Sequence, residues 1–280
     1  LARAKGIKPI VGSEIKIVGN ENKSVAPIVL LVKNKKGYTN LTKLVSKAYI
    51  EGQNNGEPLV KIEWLEEFSE GLIALSGGLK GPVGRALLSN NLNLAKKRID
   101  YFTKIFGEDF FIEIQRVGRE NEEEYNLLAI KIASEKNLAV VATNDVRFLQ
   151  PIDPDDESPS DYEVHEARVS IQQGEVLSNS SRSKEYLEGQ YLSTGKEMIE
   201  KFYDLPEAIE NTLIISKKCN LELDLGHFYL PEFKVPGSSS TKEYLEKKSK
   251  LGLEKRFKEI TYSVNAYKID KTIYKERLDY

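Results

Sequence analysis

The chain has 280 residues, 40% hydrophobic and 30% charged, with a formal net charge of −2, which is enough material for one large core or two modest ones. No apolar run approaches the roughly 20 residues of a membrane-spanning helix, and the single cysteine, Cys219, excludes an internal disulfide and any multi-cysteine zinc site. The charge is uneven: 12 Lys/Arg stand against 7 Asp/Glu from Lys234 to Tyr280, and 29 against 36 before them, an acidic body with a basic tail.

The opening LARAKGIKPIVG has neither the apolar stretch nor the cleavage site of a signal peptide, so a cytosolic protein is expected. A lone cysteine fits a reducing compartment, and Cys219 reads as a small buried apolar side chain. The first 150 residues alternate strand and helix signals. KPIVGSEIKI and PIVLLVKN are rich in β-branched residues, and GYTNLTKLVSKAYIEG sets Tyr38, Leu41, Leu44, Val45, Ala48 and Tyr49 on one helical face. GLIALSGG follows as a short buried strand. After it come a helix around LNLAKKRIDYFTKIFG, the strand FFIEIQ, a helix over ENEEEYNLLAIKIASEKN with an acidic first turn, and the strand AVVATN. Repeated βα order predicts a mostly parallel sheet covered by helices, as a barrel or a doubly wound sheet.

Between Gln150 and Glu166 the pattern fails. QPIDPDDESPSDYEVHE has three prolines and six acidic residues before His165, which predicts a solvated loop without the glycine and terminal glutamate of a calcium-binding hand. Helices follow around KEMIEKFYDL and PEAIENTLIISKKCN. PEFKVPGSSSTKEYL reads as a linker, and Ser240 with Glu243 has capping-box spacing, so a helix is expected from about Thr241. The basic tail after it reads as a solvated helix of mixed charge or as a surface that meets phosphate backbone.

Several residues carry potential chemistry. SGGLKGPVG lacks the Gly-Lys-Ser/Thr ending of a phosphate-binding P-loop and reads as a turn. His165 and His227 are the only histidines, so a histidine-rich metal site is excluded on this segment, and His165 is expected to contact the acidic loop or cap the helix HEARVSIQQ. Glu14, Glu113 and Asp145 sit near strand ends. Clustered carboxylates there hold magnesium or manganese, or they pair with Arg116, Arg119 and Arg147. Asp145 and Arg147 project the same way if the strand runs through them.

The strings GIKPIVGSEI, NKKGYTNLTKLVSKAYIEG, GLIALSGGLKGPVG, EIQRVGRENEEEY, VVATNDVRFL, HEARVSI, DLPEAIENT, KKCNLEL and FYLPEF resemble, in order and across nearly the whole chain, the bacterial replicative DNA polymerase III alpha subunit family. The resemblance implies a PHP (polymerase and histidinol phosphatase) domain over residues 1–230, an α/β fold of the distorted seven-fold β/α barrel type, and a linker and the start of a polymerase palm over 231–280. It implies a fragment whose first strands and histidine-rich motifs lie upstream of Leu1. In metal-binding members the barrel mouth holds a multinuclear site. Here Glu14 matches the family's Gly-x-Glu and Asp145 its Asn-Asp-x-His, whereas Pro27, Gly78 and Arg147 stand where those members carry His, Cys and His.

The resemblance therefore implies a vestigial site, with no metal or other cofactor bound by this segment and magnesium used only by the intact polymerase, at a site beyond Tyr280. The implied role is a non-catalytic scaffold and docking surface for a separate proofreading exonuclease subunit, within a chain that otherwise copies DNA and has no membrane association. The alternative is a working metal-dependent phosphoesterase, either a 3′–5′ proofreading nuclease or a pyrophosphatase.

Overall fold

The computed structural model of the chain describes residues 2–19, 24–155, 158–179, 184–228, 230, 233–237, 240–261 and 270–279. They divide into two compact units, Leu1–Leu223 and Asp224–Tyr280.

In the first unit, β1 (Gly12–Val18) buries Ile15 and Ile17 and exposes Glu14 and Lys16, the period-two pattern of a strand with one face in the core. β2 (Val25–Val32) returns after a short connection and pairs antiparallel, with Glu14 opposite Val29 and Lys16 opposite Pro27. A parallel partner would have needed a crossover of about a dozen residues or more. α1 (Lys35–Glu51) is capped by Asn34, whose side chain accepts from the Gly37 amide, and it buries Leu41, Leu44 and Ala48. Tyr38 and Tyr49, expected on that face, are exposed, because they lie roughly 100° round the helix from its buried line. A hairpin of β3 (Gln53–Asn54) and β4 (Glu57–Pro58) follows, then β5 (Val60–Lys61), which pairs parallel with Ile17 and Val18. α2 (Trp64–Phe68) turns Trp64 inward beneath Lys47, whose ammonium lies 4.8 Å from the ring centroid.

β6 (Leu72–Leu75) leads through α3 (Pro82–Leu88) and α4 (Leu92–Phe106) to β7 (Phe110–Gln115), and α5 (Glu122–Lys136) leads to β8 (Val140–Thr143). The strands form one six-stranded sheet in the order β5-β1-β2-β6-β7-β8. Its β5-β1, β6-β7 and β7-β8 joins are parallel, and its β1-β2 and β2-β6 joins are antiparallel. The fold is thus α/β with a mostly parallel central sheet. β5 and β8 are its edges, so the seven-fold closure expected from the resemblance is not seen among the described residues.

Both faces of the sheet are covered. Ile15, Ile28, Leu30, Ala74, Ile112 and Ala142 face one core with the helices around it. Val29, Leu31, Ile73, Leu75, Phe111 and Val141 face a second, covered by Ile215 and Cys219 at the end of α8 (Pro206–Lys218). Apolar residues on both faces explain why β2 and β6 lack polar alternation. Cys219 is buried, and burial pushes its thiol up from its ordinary value.

Two further helices, α6 (Asp161–Gln173) and α7 (Gly195–Lys201), precede α8. The loop expected over 150–166 stops short of its predicted end. Ser160 and Glu163 form a capping box that starts α6 at Asp161, and Asp161 accepts from the amides of Leu149 and Gln150 at 3.2 and 2.9 Å. His165 therefore sits inside α6 and does not cap it; its ring meets Tyr186 edge-on, centroids 4.7 Å apart.

In the second unit, α9 (Thr241–Thr261) begins where expected: the Glu243 amide donates to Ser240 Oγ at 3.3 Å and the Ser240 amide to Glu243 Oε2 at 3.0 Å. Phe233 stacks on Tyr244 at 5.6 Å, and α10 (Lys271–Asp279) follows. Among the described residues no helix is long and apolar enough to cross a membrane.

Close packing of backbones gives a direct test. A Cβ on Gly37 in α1 would overlap the carbonyl oxygen of Gly71, whereas Gly195 at the start of α7 has open space around it. Gly37→Ala is expected to cost about 1–3 kcal/mol by overpacking, and Gly195→Ala to change stability by under about 1 kcal/mol, in the stabilising direction. Urea-unfolding midpoints check both, and a Gly37→Ala midpoint equal to wild type would show that this contact is looser than described.

Candidate functional site at the carboxyl end of the sheet

β1, β6, β7 and β8 run in one direction and β2 runs against them, so the carboxyl ends of the four meet the start of β2. Open α/β sheets gather ligand-binding loops at this end. Backbone parity fixes how Pro27 fits. The Val32 amide bonds to Val11 and the Lys33 amide to Gly71, so alternate N–H positions along β2 face β1 and β6. Pro27 turns its nitrogen to the β6 side, past the last β2-β6 pair, Val29–Leu75. Its missing N–H therefore breaks no ladder bond. The turn after β6 lies over it: a Cβ on Gly77 would overlap the Pro27 carbonyl, and Gly77 and Gly78 have φ of +80° and +59°, conformations that favour glycine.

That turn serves an internal carboxylate. The Gly77 amide donates to Glu113 Oε2 at 3.1 Å, while Thr143 Oγ1 and Gln115 Nε2 donate to Oε1 at 2.6 and 3.2 Å. The Glu113 amide donates to Ser76 Oγ, and the Tyr125 hydroxyl to the Glu113 carbonyl. Burial, above all, pushes the Glu113 carboxyl up; its three donors oppose the shift and the Asp145 charge adds to it. SGGLKGPVG is thus a tight turn whose first free amide is committed to the protein itself.

Asp145 lies just beyond β8. The strand does not run through it: β8 ends at Thr143 and Asp145 has φ +41°, so a left-handed turn, not strand alternation, brings Asp145 and Arg147 together. Arg147 Nη2 lies 2.8 Å from Asp145 Oδ1. Arg119 Nη2 bonds Oδ2 from the other side, and its Nη1 donates to Gln115 Oε1 at 2.6 Å. Gln190 Nε2 donates to the same Oδ2 at 2.9 Å and to the Asp145 main-chain carbonyl at 3.0 Å. Arg119 is the more buried cation, with its side chain 8% exposed against 33% for Arg147, and Asp145 is 18% exposed. The Arg147 guanidinium lies 5.2 Å from the Tyr186 ring centroid. Burial and then Glu185 push the Tyr186 phenol up; Asp145 and Glu14 add to this and Arg147 opposes it.

The sequence candidates are therefore partly gathered. Asp145 and Arg147 are in contact, and a Cβ on Gly78 would sit 3.4 Å from Gln115 Oε1, beside the same network. Glu14 is exposed on β1, close enough to act on Tyr186 but without a bond to Asp145 or Arg147 among the described residues. Arg116 faces elsewhere, bidentate to Asp204 at 2.6 and 2.9 Å. Sequence reasoning missed Gln190, Gln115, Thr143 and Tyr186, and also Glu122, whose Oε2 accepts from the amides of Val117 and Gly118 at 2.7 and 2.8 Å. The last had a signal: glutamates opening a helix after a glycine-containing loop point at free amides.

The donor set does not fit a metal. Of the five positions implied by the resemblance, Pro27 and Gly78 offer no side-chain ligand, Arg147 is a cation, and both Asp145 oxygens are engaged by guanidinium groups. Among the described residues no group of three or more His, Cys, Asp or Glu side chains is arranged to hold an ion.

The burial difference separates the two arginines experimentally. Arg119→Ala is expected to cost about 3–5 kcal/mol, as when one partner of a buried pair is removed, and Arg147→Ala clearly less, since more exposed pairs approach the roughly 1 kcal/mol of surface bridges. Thermal or urea unfolding of the two variants checks the order, and a larger loss for Arg147→Ala would reverse the assignment of Arg119 as the principal partner.

A comparison with known proteins adds the family. The PHP domain model matches residues 1–117. The DNA polymerase III subunit alpha of Pseudomonas aeruginosa is 40% identical over 281 residues, covering 100% of this chain and 23% of the relative. That of Escherichia coli K12 is 42% identical over 255 residues, 90% of this chain and 21% of the relative, and that of Pseudomonas fluorescens 38% identical over 282 residues, again all of this chain. The chain spans less than a quarter of the length of these relatives. Matched along its length at this level, with a PHP domain at its start, the chain belongs to the DNA polymerase III alpha subunit family.

Proposed function

We propose that this chain is a non-catalytic PHP scaffold and interaction module within the alpha subunit of a replicative DNA polymerase. In this reading the intact subunit performs template-directed DNA synthesis with magnesium at a site outside this segment, and the PHP region docks a separate proofreading exonuclease subunit in the cytoplasm. The observation that carries the non-catalytic part is the Asp145 carboxylate held between Arg119 and Arg147. Metal-assisted hydrolysis needs an ion with open coordination to activate water, and a carboxylate with a guanidinium on each oxygen already has its charge compensated by two fixed cations, which would repel such an ion. The turn at Gly77, bonded inward to Glu113, supports the same reading, since its amide is not offered to a phosphate.

Two measurements on the full-length subunit test the proposal. Purified free of the exonuclease subunit and given end-labelled primer–template with manganese, it is expected to leave the primer intact. Mixed with the exonuclease subunit, it is expected to co-elute in gel filtration, and removal of the PHP region should abolish that complex. Primer shortening or pyrophosphate hydrolysis that Asp145→Ala abolishes would overturn the reading in favour of a working phosphoesterase, and a complex that survives loss of the PHP region would overturn the docking role.

A further inference from the structure

Residues 184–193 cross the Asp145 cluster, and their one buried side chain is polar. Gln190 is fully buried, while Tyr186 and Leu187 are half-buried and Leu192 is exposed. The attachments are mainly hydrogen bonds, joined by ring contacts of Tyr186 with His165 and Arg147, of Tyr191 with Lys201 and of Lys184 with Tyr162. Besides the two bonds from Gln190 Nε2 to Asp145, the Arg147 amide donates to the Gln190 carbonyl at 2.8 Å and the Leu187 amide to Gln190 Oε1 at 2.8 Å. The Leu192 amide donates to the Phe148 carbonyl at 3.0 Å, and Asn144 Nδ2 donates to the carbonyls of Gly189 and Tyr191 at 3.1 and 2.7 Å. The segment also lies hard against the loop after β7: a Cβ on Gly189 would come within 2.6 Å of the Val117 carbonyl oxygen.

We propose that residues 184–193 are a strap, latched by Gln190, that opens as a local unit while the sheet beneath it stays folded. Apolar burial is what ties a segment into global unfolding, and segments held mainly by hydrogen bonds open at lower free energy. In the strap no apolar side chain is fully buried, whereas β7 beneath it buries Phe110, Phe111, Ile112 and Ile114. Gln190 is the latch because one side chain serves both parts: its amide nitrogen holds the Asp145 turn and its amide oxygen fixes the bend at Leu187. Solvating that amide releases both together. Arg147 is linked to the same event, since its main-chain amide and its ring partner Tyr186 both belong to the latch. An open strap exposes Asp145, Arg119 and Arg147 to water, so the polar surface at the sheet end has a closed and an open form. The strap follows from contacts within this chain and does not require the polymerase reading.

Hydrogen exchange of the full-length protein, read by mass spectrometry on short peptides, tests this. In the wild type, peptides holding the Leu187 and Leu192 amides should exchange at least about 100-fold faster than those holding Ile112 and Ile114, and dilute urea should leave the strap rates nearly unchanged while speeding β7, because a local opening exposes little new surface. Gln190→Leu should speed exchange by about tenfold or more within 145–149 and 184–193 and leave β7 unchanged. Strap amides as slow as those of β7, or with the same urea dependence, would overturn the proposal, as would a Gln190→Leu change that reaches β7 equally. Should Gln190→Leu fail to fold, the wild-type comparison decides alone.

Discussion

A carboxylate mostly withdrawn from water must be compensated where it stands, and at the end of β8 that requirement organises the surroundings. Asp145 takes its partners from three separate segments: Arg119 after β7, Arg147 in its own turn and Gln190 in the strap. Such a cluster adds little net stability over an apolar core of the same shape, because the desolvation of each charge offsets the attraction between them. Its effect lies in mutual dependence. Loss of Arg119 leaves Asp145 with only the more exposed Arg147 and the Gln190 amide, so the three segments favour a single arrangement. Gln115 extends the constraint inward by linking Arg119 to Glu113 and Thr143.

Much of the framework was legible from local sequence, because its longer elements are periodic or capped. α1, α4 and α8 carry amphipathic runs with recognisable ends, α5 is marked by its acidic first turn, and Ser240 with Glu243 marks the start of α9. The two-residue strands β3, β4 and β5 and the five-residue α2 are too short to show a period and were not foreseen, nor was α3 behind the glycine-rich turn, whereas the short strands β6, β7 and β8 showed as apolar runs. Strand pairing was less legible. β2 is apolar on both faces because both faces are covered, a pattern shared by parallel strands, and only the short return from β1 reveals it as antiparallel. At the site, the proximity of Asp145 to Arg147 follows from their spacing, but the backbone reaches it through a left-handed turn and not through an extended strand. Arg119 and Gln190 lie 26 and 45 positions from Asp145, and no local pattern signals a contact at that range.

Glycine explains how so many groups converge at one end of the sheet. Gly77 lets the turn after β6 lie against the Pro27 carbonyl, and Gly189 lets the strap lie against Val117. In both places a side chain would displace backbone that carries the network: the Gly77 amide that holds Glu113, and the Gln190 main chain next to Gly189. The polar cluster therefore depends on steric permission as much as on charge.

The choice of arginine has a further physical consequence. A guanidinium keeps its charge throughout the pH range in which proteins are folded, and its planar fork fixes direction as well as distance. Histidine in the same place would change charge near neutrality, and a metal would bind or leave with its supply and with the protonation of its ligands. With Arg119 and Arg147 on Asp145, the charge of that carboxylate is compensated by groups of the chain itself. That suits a surface whose proposed work is to hold other polypeptides in place, because what it presents then varies with the position of the strap and not with the occupancy of an ion.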